Sequence, residues 1–285
     1  MITVVRSGPL TTVQDLGRPG YAHLGVPRSG ALDQAALRRA NALAGNRVET
    51  AGLETTLLGC ALRFEVTARV AVTGAEAVVR IDKQPISTGE AFKVPAGAVL
   101  EIGRAHRGVR SYLAVAGGID VEPVLGSRST DTLSGLGPPK LADGMTLPIG
   151  ADSPTMGDLP TVGDLPALED EADKSGEVLL GVRLGPRDDW FEAAGLFAQA
   201  YTVTPLSNRV GCRLAGSALT RTQAGELASE GVVLGAVQVP PDGQPLIFLA
   251  DHPTTGGYPV IGVVDDVTPL AQARPGTTVR FRAID

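Results

Sequence analysis

Glycine and proline punctuate this chain so densely that long helices have little room. The sequence carries 36 glycines and 21 prolines in 285 residues, and between them the apolar residues fall into short runs with no sustained 3.6-residue period. Short apolar runs bounded by turn residues read as strands. They predict strands at residues 69–73, 77–81, 98–102 and 110–116 in the first half. The second half gives 178–184, 231–239, 245–250, 259–264 and 277–282. Even spacing of such runs favours antiparallel barrels or sandwiches over alternating strand and helix units. The expected fold class is therefore mostly β with a few short helices.

Three helices fit the pattern. Ser29 is placed to cap one that runs through Leu32, Ala36, Ala40 and Leu43 and stops at Gly45. A second follows Asp188 or Asp189, with Trp190, Phe191, Ala194 and Phe197 on one face. The third is short, capped by Thr268 with Pro269 at its first position.

Composition changes between Ala151 and Gly176, where GDLP occurs twice and seven carboxylates stand against one lysine. Such a segment reads as a solvated linker or long loop. It predicts an N-terminal domain over residues 1–150, a linker over 151–176 and a C-terminal domain over 177–285. SYLAVAGGID and PLIFLADHPTTGGYPVIG each run from an apolar strand into a glycine pair, a faint sign of duplicated architecture.

No apolar run approaches the roughly 20 residues of a membrane helix, and MITVVRSGPL lacks the layout of a secretion signal. A cytoplasmic location is expected. Cys60 and Cys212 lie far apart without CxxC or Cys/His spacing, so buried thiols are expected and no metal site is. A net charge of −6 offers no electrostatic footprint for nucleic acid or anionic lipid. Small molecules and proteins remain as partners.

The richest polar stretch is DHPTTGGYP, residues 251–259, directly after an apolar strand. Of the three histidines, His252 stands there beside Asp251, ahead of Thr254, two glycines and Tyr258. Histidine both takes and gives a proton near neutrality, and a carboxylate orients it. Neighbours on a strand point to opposite faces, so Asp251 and His252 meet only if the strand has ended. Asn208, Arg209 and Arg213 add an amide and two guanidinium forks suited to amides and anions. Ser229 and Glu230 precede the strand predicted at 231–239. In the first half, Gln14 and Asp15 belong to a dense polar segment, residues 8–33, that builds either a binding rim or a set of turn staples. Around Arg128, GSRSTDTLSGLG offers hydroxyls and amides for an anion or for an internal turn network. No GxxxxGK[ST] string occurs, so this chain alone is not expected to bind nucleotide.

QDLGRPGYAHLGVPRSGALD, ANALAGN, GLETTLLG, SNRVGCRL, SEGVVLGAVQVP and DHPTTGGYPVIG, in this order over nearly the whole chain, resemble the family called allophanate hydrolase subunit 2 or biotin-dependent carboxyltransferase domain. The resemblance implies two cyclophilin-like β-barrel domains. Its stand-alone bacterial members include the C-type subunits of 5-oxoprolinases, which work with B-type and A-type subunits in ATP-dependent opening of 5-oxo-L-proline to L-glutamate. Similar domains fused within urea carboxylase move a carboxyl group from carboxybiotin to urea, and some relatives are regulators that bind a kinase inhibitor resembling the B-type protein. The implied cofactor is ATP, bound with a partner protein, or biotin carried by another protein, since no AMKM or AMKT motif is present. Asp251 and His252 are the implied acid–base pair. Asn208, Arg209, Arg213, Ser229, Glu230, Thr254 and Tyr258 are the implied substrate contacts.

Overall fold

The computed structural model describes residues 1–151 and 176–285; the predicted acidic linker lies outside the described residues. They are mostly β and divide into two compact units. Residues 1–18 and 29–151 belong to the first, and residues 19–28 group with 176–285 in the second.

The first unit is a half-barrel built on a nine-stranded sheet. Its strands are β1 (Ile2–Arg6), β2 (Thr11–Gln14), β3 (Gly52–Thr56), β4 (Ala61–Phe64), β5 (Ala68–Ile81), β6 (Gln84–Ile86), β7 (Phe92–Val94), β8 (Val99–Val115) and β9 (Thr146–Leu147). The main path runs β2-β3-β8-β4-β1-β9, and β5 pairs with β6, β7 and β8. The two longest strands correct the sequence reading, which split each of them. Gly74, taken as an end, sits inside β5 at φ 85, and a Cβ there would fall 2.4 Å from the Arg110 carbonyl oxygen. The register slips just after it, so this glycine marks a bulge that bends a continuous strand.

One face of the sheet buries Val13, Leu53, Val72 and Leu113 in an apolar core. The opposite face carries a cross-strand row of Thr12, Glu54, Tyr112 and Thr73. Helix α1 (Gln34–Ala44) packs its Ala36, Leu37, Ala40 and Ala44 there, against Tyr112, Ala71 and Ala114. Asp33, not Ser29, caps it, accepting from the Ala36 N–H at 2.8 Å; Ser29 instead has φ 52. Glu54 accepts from the Leu32 N–H at 3.1 Å and from the Tyr112 hydroxyl at 2.8 Å. That hydroxyl in turn accepts from the Asp33 N–H at 2.8 Å. Burial first, then the Glu54 and Asp33 charges, push the Tyr112 phenol well above its ordinary range. It stays a neutral donor that ties the helix start to the sheet.

The second unit is a closed seven-stranded barrel. It uses β10 (Glu177–Leu184), β11 (Ala200–Val203), β12 (Gly211–Ala215), β14 (Ala236–Gln238), β15 (Leu246–Phe248), β17 (Val260–Val264) and β18 (Thr278–Ala283). Round the barrel they follow the order β10-β17-β14-β15-β12-β11-β18, closed by parallel pairing of β18 with β10. β13 (Glu230–Gly231) and β16 (Thr255–Gly256) form a separate two-stranded ribbon. The single strand predicted at 231–239 is thus broken, because Gly235 turns the chain at φ 80 between ribbon and barrel. The helix predicted after Asp188 is also interrupted. A 3-10 turn at Asp188–Trp190 is followed by an extended Phe191 bridged to Arg221, and only Ala194–Ala198 (α2) is helical. The short helix α3 (Thr268–Ala271) forms with Pro269 in its first turn, preceded by Val267 rather than capped by Thr268.

Two outcomes test this packing. Tyr112→Phe removes the donor to Glu54 and strands the Asp33 N–H, so denaturant unfolding should show a loss of about 1–3 kcal/mol. Cys60 and Cys212 are free and buried, and burial raises the Cys60 thiol to about 11. Neither should react with a thiol reagent at pH 8 in the native protein, and both should react once it is unfolded.

Candidate functional site

The second unit gathers most of the predicted residues around one turn. β15 ends at Phe248, and the chain then reverses, with the His252 N–H donating to the Leu249 carbonyl at 3.1 Å. This is the early strand ending that lets Asp251 and His252 turn away from alternation. Asp251 is engaged elsewhere. Arg209 donates Nε to its Oδ2 at 2.9 Å and Nη2 to its Oδ1 at 3.0 Å, and both side chains are fully buried. The expectation of a substrate-facing Arg209 and an acid–base Asp251 is therefore corrected. Together they form an interior two-point ion pair that locks residues 208–211 to the turn carrying His252.

His252 is 7% exposed, and its ring centroid lies 5.9 Å from that of Phe248. Its Nδ1 is 2.6 Å from the Pro253 carbonyl oxygen. A carbonyl only accepts, so Nδ1 carries the proton and the lone pair of the neutral ring falls on Nε2. The Pro253 carbonyl thus orients the ring, a task the sequence assigns to Asp251.

Residues 254–258 pass over the outer wall of the barrel. The Val232 N–H donates to the Thr254 carbonyl at 2.9 Å, and Glu230 and Gly231 pair with Gly256 and Thr255. Glu230 is not a free ligand carboxylate. Arg187 grips it with both Nε and Nη2, and this bonding holds its carboxyl below the usual range. Ser229 is exposed, with its Oγ 3.7 Å from where a Gly257 Cβ would lie. Tyr258 is 47% exposed. The segment around the 3-10 turn Ala22–Leu24 lies nearby, since a Cβ on Gly25 would come within 3.9 Å of Thr254 Oγ1.

Beneath the ribbon, Val232, Ala236, Leu246, Phe248 and Val260 form an apolar floor. Arg213, Leu246, Gln238 and Val260 are successive cross-strand neighbours, so they share one row. Arg213 is exposed in that row, whereas Cys212 beside it points into the barrel. Asn208 spends its carbonyl oxygen on the Val210 and Gly211 N–H groups, at 2.8 and 3.2 Å, and so shapes a turn. Two residues escaped the sequence reading. Gln238 reads as the solvent side of an alternating strand, yet it is 4% exposed because the ribbon covers it. Arg187 sits in a Gly-Pro turn with no periodic signal.

In the first unit the anion site expected near Gln14, Asp15 and Arg128 is occupied by the protein's own carboxylate. Asp15 accepts from Ser127 Oγ, Ser129 Oγ and the Arg128 N–H, each at 2.6 Å, and from the Gly17 N–H at 2.7 Å. The Arg128 guanidinium is used by Asp120 and the Val121 carbonyl. Gln14 is fully buried, donating to Thr12 Oγ1 and the Thr130 carbonyl. A cleft of about 390 Å³ borders this network, lined by Asp15, Arg47, Thr50, Asp120 and Arg128 among others.

With this geometry in hand, comparison with known proteins gives a consistent answer. Residues 24–283 match the carboxyltransferase domain, subdomain A and B. The chain is 40% identical to the C-type subunit of the Escherichia coli 5-oxoprolinase, over 99% of this chain and 90% of that protein. It is 33% identical to the urea amidolyase of Saccharomyces cerevisiae over 98% of its own length, which is 16% of the yeast protein. Against the crystal structure of the Kluyveromyces lactis urea amidolyase, the TM-score is 0.88 at 30% identity. All of this chain is covered there, against 19% of that one. The chain therefore belongs to the carboxyltransferase domain family and spans its subdomains A and B.

Proposed function

We propose that this chain is the C-type subunit of an ATP-dependent 5-oxoprolinase and opens 5-oxo-L-proline to L-glutamate only in complex with B-type and A-type subunits. The observation that carries this reading is its similarity to a protein named as the C-type member of a 5-oxoprolinase, along nearly the full length of both. In this reading ATP binds with a partner protein, which fits a cradle around Arg128 that Asp15 already fills.

A lactam carbonyl is a poor electrophile, so its opening needs activation of the oxygen, a base for the attacking water and an acid for the departing nitrogen. In this reading His252 Nε2 takes the proton from water and returns one to the ring nitrogen as the C–N bond breaks. Arg213 receives the substrate carboxylate from its place on the outer row. Arg187 and Glu230 hold the ribbon over the floor, and the Arg209–Asp251 pair holds the turn beneath His252. Asn208, Ser229, Thr254 and Tyr258 border this face as contacts with substrate or the B-type partner.

The similarity to urea amidolyases favours one other reading, a carboxyltransferase component that moves a carboxyl group from biotin on another protein to urea or a related amide. Reconstitution separates the two. The chain with its partners should form glutamate from 5-oxoproline and ATP, and His252→Ala should lower kcat by about 100-fold or more without changing the fold. Biotin-dependent carboxylation of urea, with no glutamate from any combination of partners, would establish the other reading. Asp251→Asn behaves differently. It removes the charge from one arm of a fully buried two-point ion pair and should cost about 3–5 kcal/mol in an unfolding experiment.

A further inference from the structure

The turn after β15 fixes the backbone of His252 more firmly than its ring. The Phe248 carbonyl accepts from the Gly235 N–H at 2.9 Å, the Leu249 N–H donates to the Val210 carbonyl at 3.0 Å, and the Asp251 N–H donates to the Arg209 carbonyl at 3.1 Å. The main chain is thereby held from the end of β15 to the histidine. The imidazole still has two torsions to settle, and the hydrogen bond from Nδ1 to the Pro253 carbonyl anchors one end of the ring. A bond at one atom does not set the tilt of the plane about it. A second contact must decide where the Nε2 end points.

Phe248 supplies that contact. Its ring centroid lies 5.9 Å from that of His252 at an interplanar angle of 39°, a separation at which aromatic rings attract. Both side chains are buried, so neither ring has water to turn into. Phe248 is itself wedged in the apolar floor with Val232, Ala236, Leu246 and Val260. Its partner across the ladder is Gly211, where a Cβ would lie 2.5 Å from Leu246 Cδ1, so Leu246 fills the place of a side chain there. The phenyl ring is therefore a fixed surface on the same rigid segment as the histidine.

We propose that Phe248 is a positioning residue for His252: its ring sets the tilt of the imidazole, so that Nδ1 keeps its proton on the Pro253 carbonyl and Nε2 meets the attacking water along one direction. This inference rests on the reading given under Proposed function. Misplacing a reacting group by about 1 Å costs up to about 100-fold in rate. An aliphatic side chain suits the apolar floor but offers no plane for the imidazole to rest on, so exchanging ring for branch separates positioning from burial.

The test reads the ring by nitrogen NMR of the full chain with isotope-labelled histidine, and the rate in the assembled complex. The chain has three histidines, so His252→Ala assigns the His252 signals. With the ring neutral, wild type should show a single tautomer there, protonated on Nδ1. Phe248→Leu should show both tautomers, and should lower kcat for 5-oxoproline about 10-fold with KM changed less than about threefold. Phe248→Tyr, which keeps the ring, should hold the single tautomer and a kcat within about threefold of wild type. A merely structural Phe248 would instead give a Phe248→Leu chain with a lower Tm but the wild-type tautomer and kcat, and that result overturns the proposal. So does a wild-type His252 that already exchanges between tautomers, even if Phe248→Leu fails to fold. Loss of kcat in His252→Ala but not in Phe248→Leu overturns this inference alone, whereas a complex whose kcat survives His252→Ala overturns the acid–base reading with it.

Discussion

The buried ion pair between Arg209 and Asp251 is the constraint on which the second unit's polar face depends. Two charges in an apolar interior are tolerated only when each satisfies the other, and the parallel bonds from Nε and Nη2 to the two carboxylate oxygens do so with fixed geometry. A hydrophobic pair of similar volume would fill the same space at no electrostatic cost. It would not fix the rotation of the turn after β15, and that rotation decides where the His252 ring goes. The next bond in the chain, from Nδ1 to the Pro253 carbonyl, then sets which nitrogen holds the lone pair.

The fold was legible in the sequence because its strands obey local rules. Short apolar runs between turn residues located β10, β15, β17 and β18 within a residue or two. The errors share a cause. Glycine was read as an end, yet at Gly74 it bends a strand that continues, and at Gly235 it separates two strands that looked like one. The difference lies in what passes nearby, here the Arg110 carbonyl against Gly74. Spacing along one chain does not contain that information.

The candidate site was legible as a place and less so as a set of roles. DHPTTGGYP stood out through its density of polar groups, but Asp251 and Arg209 look equally polar whether they face water or each other. Their pairing joins positions 42 residues apart and is a property of the closed barrel. Gln238 was hidden for the opposite reason. Strand alternation places it outside the barrel, which is where it is, and only the β13–β16 ribbon turns that outside into an interior. Similarly, the serines near Arg128 resembled an anion cradle because they are one, with Asp15 as its resident anion.

The closure of the barrel has a bearing on how the second unit is made. β10 is its first strand, and its neighbours are β17 on one side and, in parallel, β18 on the other. Both partners come from the far end of the unit, at 260–264 and 278–283. During synthesis β10 therefore leaves the ribosome with two unpaired edges, and it keeps them until almost the last residue of the unit has been added. Pairings of such long sequence separation form slowly and leave strand edges open to wrong partners meanwhile. The ribbon and the His252 turn rest on strands emitted in between, which pair with one another, so that face has its own partners before the barrel closes.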